Sequence, residues 1–365
     1  MIKKKVSERR KLSSKQYNGI LLILLFLLLF SISVSVTFGN ANITWKEVYG
    51  VIGYELFHIN GLSEFATGAI HDVVWLIRFP RVMLALAIGM GLSVCGTVMQ
   101  AVVKNPLADP YILGVSSGAS MGATLGILFG VGYLFGTNFV GIVAFLGAML
   151  TSFFVLFIAN IRGRANTGKL ILMGMAVSAV CSAISNFAIY IANDNNATTE
   201  ILFWTLGSLA SAKWDKVVVI LPLLIIGTFI FWLQSRNLNL MLLGDEAAIT
   251  LGTDLQKTRN LYMILASLMI GFCVYASGTI GFVGLIIPHA MRMCFGTDHK
   301  RLIPICAIVG GIFLIWADVL CRVILKNSEL PLGILVSIIG APCFIYLMLK
   351  HSYGFGGRDS STTHH

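Results

Sequence analysis

The stretch RFPRVMLALAIGMGLSVCGTVMQAVVKNPLADPYILGVSSGASMGATLGILFG, residues 78–130, decides how the chain folds. It opens with Arg78 and Arg81 and continues as an apolar run of about twenty residues, enough for a helix to cross the roughly 30 Å hydrocarbon core of a bilayer. The polar segment 104–110, which contains two prolines, ends this run, and a second apolar run follows. The sequence therefore predicts two membrane-spanning helices joined by a Pro-braced turn.

The second apolar run carries glycines at regular intervals of four, which places them on one face of a helix. Missing side chains along such a face let another helix approach closely. The sequence therefore predicts tight helix packing along a ridge formed by Gly114, Gly118, Gly122, Gly126 and Gly130.

The composition excludes an ordinary soluble domain. Of 365 residues, 57% are hydrophobic and 12% are charged, about half the charged fraction of a soluble protein. The formal net charge of +10 does not indicate nucleic-acid binding. In the predicted topology, most of the lysines and arginines lie on the same side of the membrane as the N-terminus. Such a bias is typical of the cytoplasmic face. We therefore expect a multi-pass protein of the cell membrane with both termini in the cytoplasm.

Hydropathy predicts an all-α fold with about ten transmembrane helices between a basic tail, 1–18, and a polar tail, 351–365, so that 19–350 is the membrane domain. The first apolar segment also fits a signal peptide, although we favour a retained helix. The segment 201–214 is too short to span the membrane. We predict that it forms an external helix that lies across the mouth of the pore. The predicted spans are 20–36, 73–103, 111–135, 139–161, 170–192, 217–233, 260–276, 285–295, 303–325 and 332–350.

Several motifs occur in the order found in one transporter family: RFPR, VMQAVVKNPLADPYILGVSSGA, GDEAAITLG, GTIGFVGLIIPHAMR and ELPLG…GAPCFIYLML. By these motifs the chain resembles the FecCD-type permeases of ABC importers for iron-siderophores, haem and cobalamin. The resemblance implies a type II permease fold and a homodimer or close heterodimer of permeases. It also implies two ATPase subunits that bind ATP and Mg²⁺, an extracytoplasmic substrate-binding protein, and no cofactor on this chain.

The sequence offers no catalytic motif. It lacks a phosphate-binding P-loop, an H-E-x-x-H zinc motif and a G-x-S-x-G nucleophile elbow. ATP-driven transport would therefore need an ATP site on another chain. The alternative is a secondary transporter driven by an ion gradient, which needs acids at mid-membrane. Asp318 is the only acid well inside a predicted span.

No metal site is predicted. The seven cysteines lie in or at the ends of apolar runs and contain no C-x-x-C pair, so we interpret them as small apolar residues. His289 has no second ligand three or four residues away, which favours a packing role.

The loop predicted at 237–258 holds the most informative segment outside the membrane. Two acids open a short Ala-rich helix there, and acids in a first turn favour the helix dipole. The simple alternative is a solvated hairpin. By resemblance, the segment is the coupling helix that docks on the ATPase subunit, and its residues are Gly244, Asp245, Glu246, Ala247, Ala248, Leu251 and Gly252.

Arg78, Arg81 and Arg322 fall at the external face in this topology, against the general charge bias. They could snorkel to lipid phosphates, or Arg322 could pair with Asp318 one turn earlier. The resemblance implies instead that these arginines receive glutamates of the substrate-binding protein. Directional Arg–carboxylate pairs suit such docking.

The resemblance also implies a cytoplasmic gate formed by Asn105, Leu107, Thr167 and Gly168. A Pro-braced polar loop can protrude into a cavity without leaving backbone groups unsatisfied in lipid. A plain helix–helix turn is the alternative for these four residues.

Overall fold

The computed structural model describes residues 13–39, 41, 43–131, 136, 138–161, 167–243, 255–325 and 328–350, with the backbone alone at 60, 167, 348 and 350. Residues 1–12, most of the predicted basic tail, and the whole tail 351–365 lie outside this part of the chain. So does the predicted coupling helix, Gly244 to Gly252.

Every regular element in the described ranges is helical, as predicted. The helices are α1 Ser14–Ser35, α2 Trp45–Phe57, α3 Phe79–Val102, α4 Val115–Phe129, α5 Phe139–Ile161, α6 Thr167–Ala192, α7 Asn195–Leu206, α8 Trp214–Leu233, α9 Ser235–Leu243, α10 Leu255–Ser277, α11 Val283–Phe295, α12 His299–Val323 and α13 Leu332–Lys350. A π-helical segment, Asp72–Arg78, leads directly into α3.

Seven of these helices are long and apolar enough to cross a membrane, and three shorter apolar helices, α4, α11 and α13, accompany them. Together they account for the ten spans predicted from hydropathy. The bounds of a span differ from the predicted ones where glycines end the helix. The third span is Val115–Phe129 rather than 111–135, because Gly114 and Gly130 take left-handed conformations, with φ of 74° and 63°, at its two ends.

Helix α3 is the centre of the bundle and has the largest buried share of the long spans. It packs against α8, α10, α11 and α12. Small residues permit this crowding, since Gly89 lies directly on the carbonyl of Gly310 and Gly96 on that of Gly284. Ser93 adds a hydrogen bond of 2.7 Å from its hydroxyl to the carbonyl of Cys306. The RFPR stretch is therefore the start of the central helix.

The predicted glycine ridge is confirmed at its middle. Gly118 lies against the carbonyl of Gly147, and Gly122 lies against that of Val143, so α4 and α5 approach at backbone distance. Gly114 and Gly130 instead end the helix, and Gly126 has only ordinary contacts.

Two predicted segments have different boundaries in the structure. Part of the predicted loop 237–258 is helical: α9 runs to Leu243 because Leu238 and Met241, three residues apart, bury one face. The predicted external helix 201–214 is shifted, because α7 begins after Asp194, whose carboxylate caps the backbone N–H groups of Asn196 and Ala197, and ends before Gly207.

Candidate functional site

The polar cluster at one end of α3 and α12 is centred on Asp318. Arg81 donates from Nε to the two carboxylate oxygens of Asp318 at 2.9 and 3.1 Å. Its Nη1 donates to both oxygens of Glu329 at 2.9 and 2.8 Å. The Asp318 side chain is 1% exposed, whereas that of Glu329 is 41% exposed. Arg81 thus connects a buried acid to an acid that reaches solvent.

Arg322 completes this cluster from the following turn of α12. Its Nε lies 3.1 Å from Asp318 Oδ2, which confirms the pairing considered from the sequence, and its Nη1 donates to the carbonyl of Phe38. Arg322 Nη2 is buried and has no hydrogen-bond partner among the described residues. Asp318 therefore pairs with two guanidinium groups at once, and Glu329 supplies the second negative charge of the cluster.

Arg78 is held by backbone rather than by an acid. Its guanidinium donates to the carbonyls of Val36, Thr37 and Ala41 at 2.8 to 3.2 Å, just beyond the end of α1. Gly39 lies directly against it. The arginine thereby ties the end of α1 to the start of α3.

The structure brings the three predicted docking arginines to one end of the bundle but buries them. Arg78 is 4% exposed, and Arg81 and Arg322 are each 5% exposed. Sequence reasoning missed the parts played by Arg81 and Glu329 in this cluster. No local spacing signals a contact between positions 81 and 318, which lie on different helices; only the ELPLG motif drew attention to Glu329.

An aromatic cluster lies near the same end. Trp75 stacks on Phe79 with ring centroids 5.3 Å apart, and Trp214 packs against both. Trp214 Nε1 also donates to the carbonyl of Trp75 at 2.7 Å. Tryptophans with a polar partner are typical of the membrane–water interface.

The opposite end of α12 is joined to α9 by Asn239. Its Oδ1 accepts from the backbone N–H of His299 at 2.9 Å and lies 2.7 Å from His299 Nδ1. Its Nδ2 donates to Asp298, which itself caps α12 at Lys300. Asn239 is thus a latch between α9, which leads into the segment 244–254, and the first turn of α12.

A cavity of about 480 Å³ lies beside this latch. It is bounded by α9 and by the turn before α12, including Arg236, Leu243, Thr297 and Lys300. Deeper in the bundle, Arg292 Nη1 donates to Gln100 Oε1 at 2.8 Å, and Gln100 donates to the carbonyl of Leu285. These bonds connect α11 to the last turns of α3, just before the predicted gate loop.

The predicted gate loop, residues 104–110, is a compact turn. Asn105 Oδ1 accepts from the backbone N–H of Leu107 at 2.9 Å, and Leu107 is 38% exposed. Asp109 caps the next turn by accepting from the backbone N–H of Tyr111 at 2.7 Å, and loss of hydration raises the pKa of Asp109 to about 6. Tyr111 donates to the carbonyl of Ile280, which ties the loop to the connection between α10 and α11.

Of the other predicted gate residues, Gly168 is exposed in the first turn of α6, and Thr167 begins that helix. The helical turn that follows the predicted gate loop, Pro110–Leu113, contacts α6 further along, where Gly174 lies directly on the carbonyl of Ile112.

The FecCD transport family model matches residues 24–350. The chain belongs to the FecCD transport family. Two curated FecCD-like relatives cover most of it. An uncharacterized ABC transporter permease protein, YvrB, of Bacillus subtilis is 35% identical over 96% of this chain and 99% of its own length. The vitamin B12 import system permease protein BtuC of Salmonella paratyphi A is 39% identical over 76% of this chain and 83% of its own length.

A solved structure of this FecCD-like fold is also similar. It is described as an inward-facing conformation of a metal-chelate type ABC transporter, and it aligns with a TM-score of 0.76 and 30% identity over 92% of this chain and 100% of that one. The type II importer permease fold predicted from the sequence is thereby confirmed. This FecCD chain is a permease subunit of an ABC importer and works with ATPase and substrate-binding protein partners.

Proposed function

We propose that this permease imports a metal chelate of the iron-siderophore, haem or cobalamin class. The observation that carries the proposal is the similarity to the vitamin B12 permease, at 39% identity over 282 residues. The solved metal-chelate type transporter supports the same class.

The geometry around Asp318 disfavours the ion-driven alternative. A coupling acid has to be free to bind its ion, whereas Asp318 accepts from Arg81 and is paired with Arg322.

A transport panel tests the substrate class. Cells that express the permease with its ATPase and binding protein should accumulate one of three labelled compounds: cobalamin, haem or a ferric siderophore. An excess of the same chelate without label should reduce this accumulation. Accumulation of none of the three, with a free metal ion or an unrelated solute taken up instead, would contradict the proposal.

We propose an assembly of two permease copies, identical or closely related, with two ATPase subunits that bind ATP and Mg²⁺ and one binding protein. Support comes from the exposed apolar faces of α6 and α13, which this chain leaves uncovered; they include Leu172, Met175, Phe187, Ile338 and Ile345. The mass of the purified particle, measured by light scattering with the detergent subtracted, should correspond to two permeases. A single permease per particle at all concentrations would contradict the dimer.

We propose that both termini are cytoplasmic, on the strength of the basic-residue bias. A labelling experiment can use a chain without Cys294 and Cys343, the two exposed cysteines. In that background Arg236→Cys should be shielded from an impermeant thiol reagent in intact cells, and Asn195→Cys should react. Both positions are exposed in the structure, so the reverse labelling would overturn the orientation.

We propose that Asp245 to Leu251 contact the ATPase, as the family resemblance implies, between the bracketing residues Gly244 and Gly252. The support from the described chain is the latch at Asn239, which connects the helix before this segment to α12. Leu251→Asp should reduce the ATPase that co-purifies with the permease, since it would place a charge in an apolar contact. Full retention of the ATPase would remove the coupling role.

We propose that Arg81 and Arg322 receive a carboxylate of the binding protein, with Arg78 fixing the helices around them. Because these arginines are buried, the incoming acid has to replace the partly exposed Glu329 on Arg81 Nη1. We further propose the loop with Asn105 and Leu107, together with Thr167 and Gly168, as the cytoplasmic gate.

A further inference from the structure

Two adjoining cavities lie between α5, α7, α8 and α10. The first, here called the head cavity, has a volume of about 380 Å³, and its polar lining includes Glu200, Ser208, Ser211 and Lys216 beside Trp204. The second, here called the chain groove, has a volume of about 370 Å³, and Ile142, Phe145, Val219 and Phe272 give it an apolar lining. Lys216 and Tyr275 line both cavities, so the two meet at these side chains.

Lys216 is the basic group at this junction. It is half-buried, and its ammonium donates to Ser211 Oγ at 3.1 Å. Within the described ranges no carboxylate lies within ion-pair distance of it, and an ammonium has three donors. Asp215 attracts this charge only from beyond ion-pair distance. A partly buried charge without a contacting counter-ion is costly, so the junction favours an anionic group.

The acids near Lys216 are also without ion pairs in the described chain. Glu200 lines the head cavity and Asp215 the chain groove, and both are exposed. Asp215 accepts only from the backbone N–H of Lys216, at 2.8 Å. A site with one cation and two acids suits a ligand that carries both a positive and a negative charge better than a ligand that is only anionic.

The depth of the site follows from its neighbours. Trp214, two residues before Lys216, belongs to the aromatic cluster with Trp75 and Phe79 that is typical of the membrane interface. Val219 lies about one turn further into α8. Val219 is 55% exposed and lies on a helix face with other uncovered apolar residues. The head cavity is therefore at headgroup depth, and the chain groove leads from it into the hydrocarbon region.

We propose that the head cavity and the chain groove together bind one molecule of a zwitterionic aminophospholipid. The phosphate binds Lys216 and the Ser211 hydroxyl by charge-assisted hydrogen bonds. The ammonium lies between the Glu200 carboxylate and the face of Trp204, which attracts cations. One acyl chain packs along Phe145, Val219 and Phe272. Nothing in this assignment depends on the transported substrate.

Lipid retention by the full chain tests the proposal. The permease is purified in detergent, freed of lipid, and incubated separately with equal amounts of phosphatidylethanolamine, phosphatidylglycerol, and diacylglycerol, which has no headgroup. Native mass spectrometry then measures the bound fraction. Phosphatidylethanolamine should be retained most. Equal retention of diacylglycerol would show that the headgroup is not recognised, and equal retention of phosphatidylglycerol would remove the role of the acids.

Matched variants locate the site. Lys216→Gln should lower the retained phosphatidylethanolamine by about fivefold, the effect of losing one charge-assisted contact of roughly 1 kcal/mol. Lys213→Gln, which removes an exposed lysine outside both cavities, should behave like the parent. Val219→Trp should block the groove, whereas Val218→Trp, at a residue that lines neither cavity, should not.

Three further outcomes would overturn the assignment. The first is equal loss in the variants at Lys216 and Lys213. The second is parent-like retention in Lys216→Gln and Val219→Trp. The third is complete displacement of the lipid by soluble phosphoethanolamine at equal concentration, which would show that the groove contributes nothing. The comparison of lipids on the unaltered chain remains decisive even if a variant fails to fold.

Discussion

The Nε of Arg81 donates to both carboxylate oxygens of Asp318, at 2.9 and 3.1 Å, and this contact fastens the central helix α3 to α12. A buried carboxylate shared by two guanidinium groups is a structural element first, because removing it leaves buried Arg322 without a carboxylate and Arg81 with only the partly exposed Glu329. Any docking role of these arginines has to operate from this fixed arrangement.

Asp318→Asn should destabilise the permease by about 3–5 kcal/mol, because Arg81 and Arg322 would lose their shared buried counter-charge. The measurement is the unfolding free energy in detergent. Glu64→Gln removes an exposed acid without an ion pair in the described chain and is the control. A variant at 318 that unfolds like the control would show that the cluster contributes little.

Glu329→Gln should strengthen binding of the substrate-binding protein by about two- to fivefold. The physical reason is competition: Glu329 holds Arg81 Nη1 in the free permease, and weakening such a partly exposed pair is worth about 0.5–1 kcal/mol. Affinity is measured by surface plasmon resonance on the permease in nanodiscs. Glu64→Gln, at another exposed acid, controls for a general change in surface charge. Equal or weaker binding by the 329 variant would contradict docking on Arg81.

The sequence predicts a contact in this cluster only where the two residues are close along the chain. The pair Asp318–Arg322 lies one helical turn apart and could be foreseen. The contact of Arg81 with Asp318 joins residues 237 positions apart and depends on how α3 and α12 cross, which no local pattern encodes. The helices were predictable because a bilayer demands long apolar segments. Their ends were less so, because single residues such as Gly114 and Asp194 decide them.

The opposite end of the bundle, which carries α9, shows the same division. The motif around Gly244 indicated a coupling segment. The hydrogen bonds between Asn239 and His299 could not be predicted, because the two residues lie in different helices and neither belongs to a recognisable motif. The turn at 104–110 was foreseen from its prolines. Its tie from Tyr111 to the carbonyl of Ile280 was not, because the acceptor is backbone and carries no side-chain signal.

Asn239→Ala should weaken coupling while leaving basal ATP hydrolysis by the assembled complex intact. The variant loses the hydrogen bonds that join α9 to His299 and Asp298. We expect stimulation of hydrolysis by the binding protein to fall by about threefold or more, since each lost hydrogen bond is worth roughly 1 kcal/mol. Asn237→Ala, which breaks a bond to the neighbouring Gln234, is the control. Unchanged stimulation would exclude α9 from the coupling route.

Asp109→Asn should stabilise the permease near pH 7.5, and it should do so less near pH 5. Loss of hydration raises the pKa of Asp109 to about 6, so the folded state binds this proton more tightly than the unfolded chain. Stability therefore rises as the pH falls through 6, and the neutral amide, which keeps the acceptor for Tyr111, removes the cost of the charge at higher pH. Melting temperatures at the two pH values measure the effect.

Asp194→Asn, at an exposed aspartate that caps α7, reports any general effect of removing a carboxylate. A variant at 109 that is less stable than the parent at both pH values would contradict the proposed cost of the Asp109 charge.

The central claim is that this chain moves its substrate only with a separate ATPase. The direct measurement is uptake of a labelled chelate by proteoliposomes that contain the permease, its ATPase and external binding protein. We predict uptake that requires both ATP and the ATPase inside the vesicles and that continues when ionophores collapse ion gradients. Uptake by the permease alone, without ATP, that stops on addition of an ionophore would contradict the claim.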